Sequence, residues 1–184
     1  VEASVSGNKQ VPTEQIQQVI DMLANNRVFL IKKNHYLLMT KGRVNAAITS
    51  AISEVKEVVS ANRQGLNKIE LEIRERNPGF VFVTKARKFL VDEDGNVVKE
   101  ATDIQDLPEV YNQMDEDVVI GELLPNPKLI AFIISMHKSW TMKINSPLAT
   151  VKVLGKRASE VQFVSSEGWT AYFDVNRSGV SQLT

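Results

Sequence analysis

The segment Lys68–Arg76 constrains this chain more than any other. Ile69, Leu71 and Ile73 are apolar, and Glu70, Glu72 and Arg74 stand between them. A period of two puts the apolar set on one face of a strand and cannot line a helix face. Asn77-Pro78-Gly79 then interrupts, and a second apolar run, Phe80–Val83, begins. Glu75 and Arg76 are neighbours on a strand, so their side chains leave by opposite faces and cannot hold one ligand together. Either one is expected to pair with a neighbouring strand or element. Pro78 lacks an amide donor and is expected to stop the ladder. Glu75, Arg76 and Pro78 therefore read as a junction between two modules, residues 1–76 and 77–184, and not as a catalytic site.

The first module reads β-α-α-β-β. Val1, Ala3 and Val5 alternate with polar neighbours up to Gly7-Asn8, which predicts a strand and a turn. Pro12-Thr13-Glu14 announces a helix, with Thr13 as its N-cap. Ile16, Val19, Ile20 and Leu23 give that helix one apolar face ending near Asn25-Asn26. Val28–Met39 is apolar and open between a short strand and a lead into the next helix. Thr40–Ile52 reads as the second helix, and Val55–Asn62 and Lys68–Arg76 as strands around a Gln64-Gly65-Leu66-Asn67 turn.

The second module reads as a mixed or antiparallel sheet with one helix, so the fold class is α+β. Phe80–Thr84 and Phe89–Val91 are short strands, and Asp92–Asn96 is a hairpin turn because Asp-Gly readily supplies positive φ. Thr102–Asn126 is acidic, carries prolines and reads mostly as loop. Lys128–Trp140 is helical and apolar nearly all round, which predicts that it is sandwiched. Leu148–Val153, Glu160–Ser165 and Trp169–Val175 read as strands. In the last, Trp169, Ala171 and Phe173 alternate with Thr170, Tyr172 and Asp174. Trp169 is accordingly expected on the buried face, where Trp169→Glu would bury an unpaired charge.

Several chemistries find no footing in the residues. With no cysteine, disulfides, thiolate zinc sites and thiol catalysis are excluded; an oxidising compartment remains compatible. His35 and His137 lie in separate apolar segments and read as core or boundary residues. No Gly-x-Ser-x-Gly or Gly-x-Gly-x-x-Gly occurs, and Gly155-Lys156 has no glycine five residues before it to make a phosphate loop. Counting from Asp92, Gly95 falls at position four and Asp103 at position twelve, which is the wrong spacing for a calcium loop. No catalytic residue, metal ligand or cofactor site is expected.

Formal net charge is zero, but the charges are segregated. Residues 100–122 hold Glu100, Asp103, Asp106, Glu109, Asp115, Glu116, Asp117 and Glu122 without a base. Residues 123–159 hold Lys128, Lys138, Lys143, Lys152, Lys156 and Arg157 without an acid. The two blocks either pair within the fold or form a bipolar surface. The bases are too few and too dispersed for nucleic-acid binding. The most apolar run, Leu129–Met136, is too short to span a bilayer. Because the sequence begins at Val1, it is expected to be an excised or processed piece, compatible with the removal of a targeting or membrane segment.

The order of these features resembles the extracytoplasmic part of the bacterial cell-division family FtsQ/DivIB. The resemblance rests on VEASVSGNKQVPTEQI, on EVKEVVSANRQGLNKIELEIRERNP, on the Asp92-x-x-Gly95 turn and, more loosely, on LPEV and SSEGWTAYFDV. It implies a POTRA domain over 1–76 and a β domain over 77–184. It also implies an N-terminal membrane anchor before the chain, and a leucine-spaced helix and last strand after it. The implied protein is non-enzymatic and sits on the extracytoplasmic face of the cytoplasmic membrane at the septum. It docks FtsB- and FtsL-like bitopic partners and helps control septal peptidoglycan synthesis. Docking by strand addition at an open sheet edge makes Trp169, Thr170, Ala171, Tyr172, Phe173, Asp174 and Val175 the candidate partner-binding residues. The alternative is a POTRA-type chaperone or docking module of a secretion or outer-membrane assembly system.

Overall fold

A computed structural model describes residues 1–25, 39–65, 67–101 and 107–183. The chain divides into two compact units, Val1–Arg76 and Asn77–Thr184. His35 and nearly all of the ambiguous segment Val28–Met39 lie outside the described residues.

In the first unit the elements run β1 (Glu2–Ser6), α1 (Thr13–Asn25), α2 (Lys41–Ala51), β2 (Val55–Gln64) and β3 (Lys68–Glu75), the β-α-α-β-β order expected from the sequence. β3 is central, parallel to β1 and antiparallel to β2. Its alternation does what period two demands. Ile69, Leu71 and Ile73 are buried against Ile16 and Ile20 of α1 and Val44 and Ile48 of α2, while Glu70, Glu72 and Arg74 face solvent. α2 is capped by Thr40, whose hydroxyl accepts from the Arg43 amide. α1 differs from expectation at its start. Thr13 is already the first helical residue, and its hydroxyl accepts from Asn8 Nδ2 at 3.2 Å. Asn8 also donates to the Val11 carbonyl, so it pins the loop entering the helix.

Among the described residues the second unit has one seven-stranded sheet and one long helix. Its elements are β4 (Pro78–Thr84), β5 (Arg87–Asp92), β6 (Val97–Glu100), β7 (Glu109–Asn112), α3 (Pro127–Lys143), β8 (Leu148–Val153), β9 (Glu160–Ser165) and β10 (Thr170–Asp174). The strand order is β10-β9-β8-β7-β4-β5-β6. β7 is parallel to both β4 and β8, and the remaining pairs are antiparallel. β7 is a strand inside the stretch 102–126 that reads mostly as loop: it is central and joins two antiparallel halves. Its four residues, Glu-Val-Tyr-Asn, offer one strongly apolar side chain, so local pattern gave no signal. Pairing of Val110 with Phe82 and Val151 makes it a strand.

α3 begins with Asn126 as N-cap and Pro127 in its first turn. Contrary to expectation, among the described residues it packs on one side only. Leu129, Ile130, Ile133, Met136 and Trp140 pack on the sheet, while Ala131, Ser135, Lys138 and Met142 are exposed. The exposed face carries only small, polar or flexible side chains, which need no cover. Pro78 also departs from expectation. It does not stop the preceding ladder, which ends at Glu75, but opens β4 opposite Asp92. A first strand position tolerates the missing donor.

Candidate docking edge

β10 lies at one end of the seven-stranded sheet, paired only with β9 among the described residues. The register fixes which main-chain groups face outward. Ser165 donates to the Trp169 carbonyl and Val175 donates to the Ser159 carbonyl. Odd-numbered residues of β10 therefore bond to β9, and the N–H and C=O of Thr170, Tyr172 and Asp174 point away from it. Side chains alternate as well. Phe173 and Val175 are buried, Ala171 is half-buried, and Thr170 and Tyr172 are exposed, Tyr172 at 63%.

Trp169 corrects the sequence reading. It lies on the same face as Phe173 but at the end of the strand, 40% exposed, stacked on Trp140 with centroids 5.1 Å apart. Part of its surface therefore stays in contact with solvent. Trp169→Glu therefore loses a stacking contact and buries no full charge. The expected cost is about 1 kcal/mol, read from the urea midpoint by circular dichroism. A cost above about 3 kcal/mol would restore the buried-face reading.

The edge has one further occupant that local pattern did not reveal. After β10 the chain turns through a 3-10 segment, Val180–Gln182. The Gln182 carboxamide comes back onto Asp174. Its Oε1 accepts from the Asp174 amide at 3.0 Å, and its Nε2 donates to the Asp174 carbonyl at 3.0 Å. A glutamine eight residues from its target has no sequence signal, because the turn that returns it is set by packing.

At the other candidate position, Glu75 and Arg76 are the last residues of the first unit and serve its own loops. The Glu75 carboxylate accepts from three consecutive amides, those of Lys9, Gln10 and Val11, at 2.7–3.1 Å. Arg76 donates through Nε to the Ser53 carbonyl at 2.9 Å. The opposite faces expected from adjacency are thus used on two different loops. Burial alone would push the Glu75 carboxyl up, but the amides of Val11, Lys9 and Gln10 and the charge of Lys9 outweigh it and hold the carboxyl below its ordinary value. A carboxylate with a depressed folded value stabilises above the unfolded value, near 4.5. That stabilisation disappears as pH falls through the folded value. Glu75→Gln is expected to cost the first unit about 1–2 kcal/mol at pH 7 and to flatten the fall in its urea midpoint between pH 5 and pH 3. An unchanged acid limb would remove Glu75 from this role.

Among the described residues, acids of the acidic block pair within their unit, though mostly with bases other than those of the adjacent basic block. Arg87 engages Glu100 through two hydrogen bonds, Lys85 meets Asp117 at 2.7 Å, and Lys88 pairs with Glu109. Of the later bases Lys156 joins in, its amide donating to Glu116 and its ammonium to the Asp117 carbonyl. Asp92 is buried, its carboxylate accepting from the amides of Asp94 and Asn96 and from the Asn96 side chain. It is a turn residue, as its spacing suggested. Among the described residues no group of three or more His, Asp or Glu is placed to hold a metal ion. His137 is half-buried, and burial, with the Lys138 charge beside it, lowers its pKa. Among the described residues no helix is long and apolar enough to cross a membrane.

No protein-family model and no curated protein matches the chain. Among solved structures it is similar to the major extracytoplasmic domain of the trans isomer of the bacterial cell division protein DivIB from Geobacillus stearothermophilus. The identity is 11% and the TM-score 0.39, over 59% of this chain and 86% of that one.

Proposed function

We propose that this chain is the extracytoplasmic part of a non-enzymatic division scaffold of the FtsQ/DivIB kind. It docks FtsB- and FtsL-like bitopic proteins on the outer side of the cytoplasmic membrane and, through them, takes part in controlling septal peptidoglycan synthesis. The sequence resemblance supplies the family. The observation that carries the docking mode is the outward-facing main chain of Thr170 and Tyr172, which has no protein partner among the described residues. Such an edge takes up an extended segment by completing its ladder.

The test is capture of the extracytoplasmic FtsB-like and FtsL-like segments of the source organism by the wild-type chain and by Tyr172→Pro. The Tyr172 amide points outward, so proline there removes a donor used by a docked strand and none used by β9. Tyr172→Pro is expected to weaken capture about tenfold, the loss of roughly one main-chain hydrogen bond, with the circular dichroism spectrum retained. Equal capture by both proteins would move docking off this edge. Capture of neither segment by the wild-type chain would remove the scaffold reading.

A further inference from the structure

The outer edge of β10 offers three main-chain positions, Thr170, Tyr172 and Asp174, spaced roughly 6.8 Å apart along the strand. Two are open. At the third, the Gln182 carboxamide already makes both hydrogen bonds that a docked peptide group would make. A primary amide has the donor and acceptor of a peptide unit, so Gln182 is a one-residue imitation of an added strand.

The imitation is held in place by the turn behind it. Gln182 Nε2 also donates to the Ser178 carbonyl, and its own amide donates to Gly179. The Asp174 carboxylate accepts from the Asn176 amide at 2.8 Å, which tightens the exit from β10. Gly179 sits so close to α3 that a Cβ there would lie 2.5 Å from Met136 Sδ and 3.2 Å from Phe132. The turn is thus seated on the core of the unit, and the side chain it delivers is aimed at the edge.

We infer that Gln182 is a gate on the docking edge. An incoming extended segment pairs first with Thr170 and Tyr172, and it extends to Asp174 only by displacing the Gln182 carboxamide. The inference rests on the docking reading above and adds its register and its limit. The partner it fits is a short extended segment whose ladder ends opposite Tyr172, with continuation beyond that point opposed by an intramolecular competitor.

The experiment is titration of the captured bitopic segment into wild type, Gln182→Ala and Tyr172→Pro, with amide hydrogen exchange at Asp174 in each protein. Opening the third position should tighten binding by Gln182→Ala about 3- to 10-fold. The Asp174 amide should be protected in the free wild type, exposed in free Gln182→Ala, and protected again when the segment binds. If Gln182→Ala binds no more tightly while Tyr172→Pro loses affinity, the gate is refuted and docking at this edge stands. If Tyr172→Pro binds like wild type, the docking reading fails and the gate falls with it. Persisting protection of Asp174 in free Gln182→Ala refutes the gate without reference to any partner.

Discussion

Trp140→Ala is expected to destabilise the second unit by about 3–5 kcal/mol. Trp140 is the largest fully buried side chain, 1% exposed. It stacks on Phe163 at 5.6 Å and on Trp169 at 5.1 Å, and its Nε1 donates to the Ser146 carbonyl at 2.9 Å. Truncation therefore opens a cavity between α3 and the sheet and strands a buried acceptor as well. Trp140→Phe should recover the packing in part but not the hydrogen bond, so its cost should be intermediate. The measurement is urea unfolding by circular dichroism, with hydrogen exchange at β8–β10 assigning the loss to this unit. A loss below about 1 kcal/mol would mean that α3 is held by other contacts.

Gly7→Ala is expected to cost the first unit about 3 kcal/mol or more. Gly7 has φ +82°, and a Cβ there would lie 2.1 Å from the Ile73 carbonyl oxygen. Positive φ alone costs a residue with a Cβ about 1–2 kcal/mol. The clash adds about 1–3 kcal/mol, because the obstructing atom belongs to the backbone of central strand β3 and cannot rotate aside. Gly42→Ala is the control: it lies in α2 with open space around it, so it should stabilise by about 0.5–1 kcal/mol. Hydrogen exchange at β3 amides reads both. Equal, small effects would show that β3 shifts freely, against its central place in the sheet.

The two sets of positions differ in how visible they are in the chain. β3 and α2 were legible because Ile69, Leu71 and Ile73, and Val44 and Ile48, repeat at the period of their own element. β7 was not, since Glu109–Asn112 becomes a strand only when β4 and β8 flank it. The hairpin between β4 and β5 shows the same divide. Lys85 and Ala86 both take positive φ, at 47° and 59°, a conformation that this dipeptide does not favour. The Lys85 amide donates to Asp115 and its ammonium to Asp117, thirty and more residues away. The acidic block is what holds that turn.

The candidate edge divides likewise. That the chain forms a strand with alternating faces around Thr170–Asp174 was readable from Trp169, Ala171 and Phe173. That it ends the sheet among the described residues was not readable, because strand order depends on which strands pair across long stretches of chain. Apart from β7, the sequence by itself determined the kinds of the described elements and their order, through periodicities of two and 3.6 that each segment carries alone. Tertiary structure alone decided the neighbours: β7 at the centre, β10 at the edge, Glu75 on the amides of 9–11, and Gln182 on Asp174. Those contacts join residues that only folding brings together, so no local pattern records them.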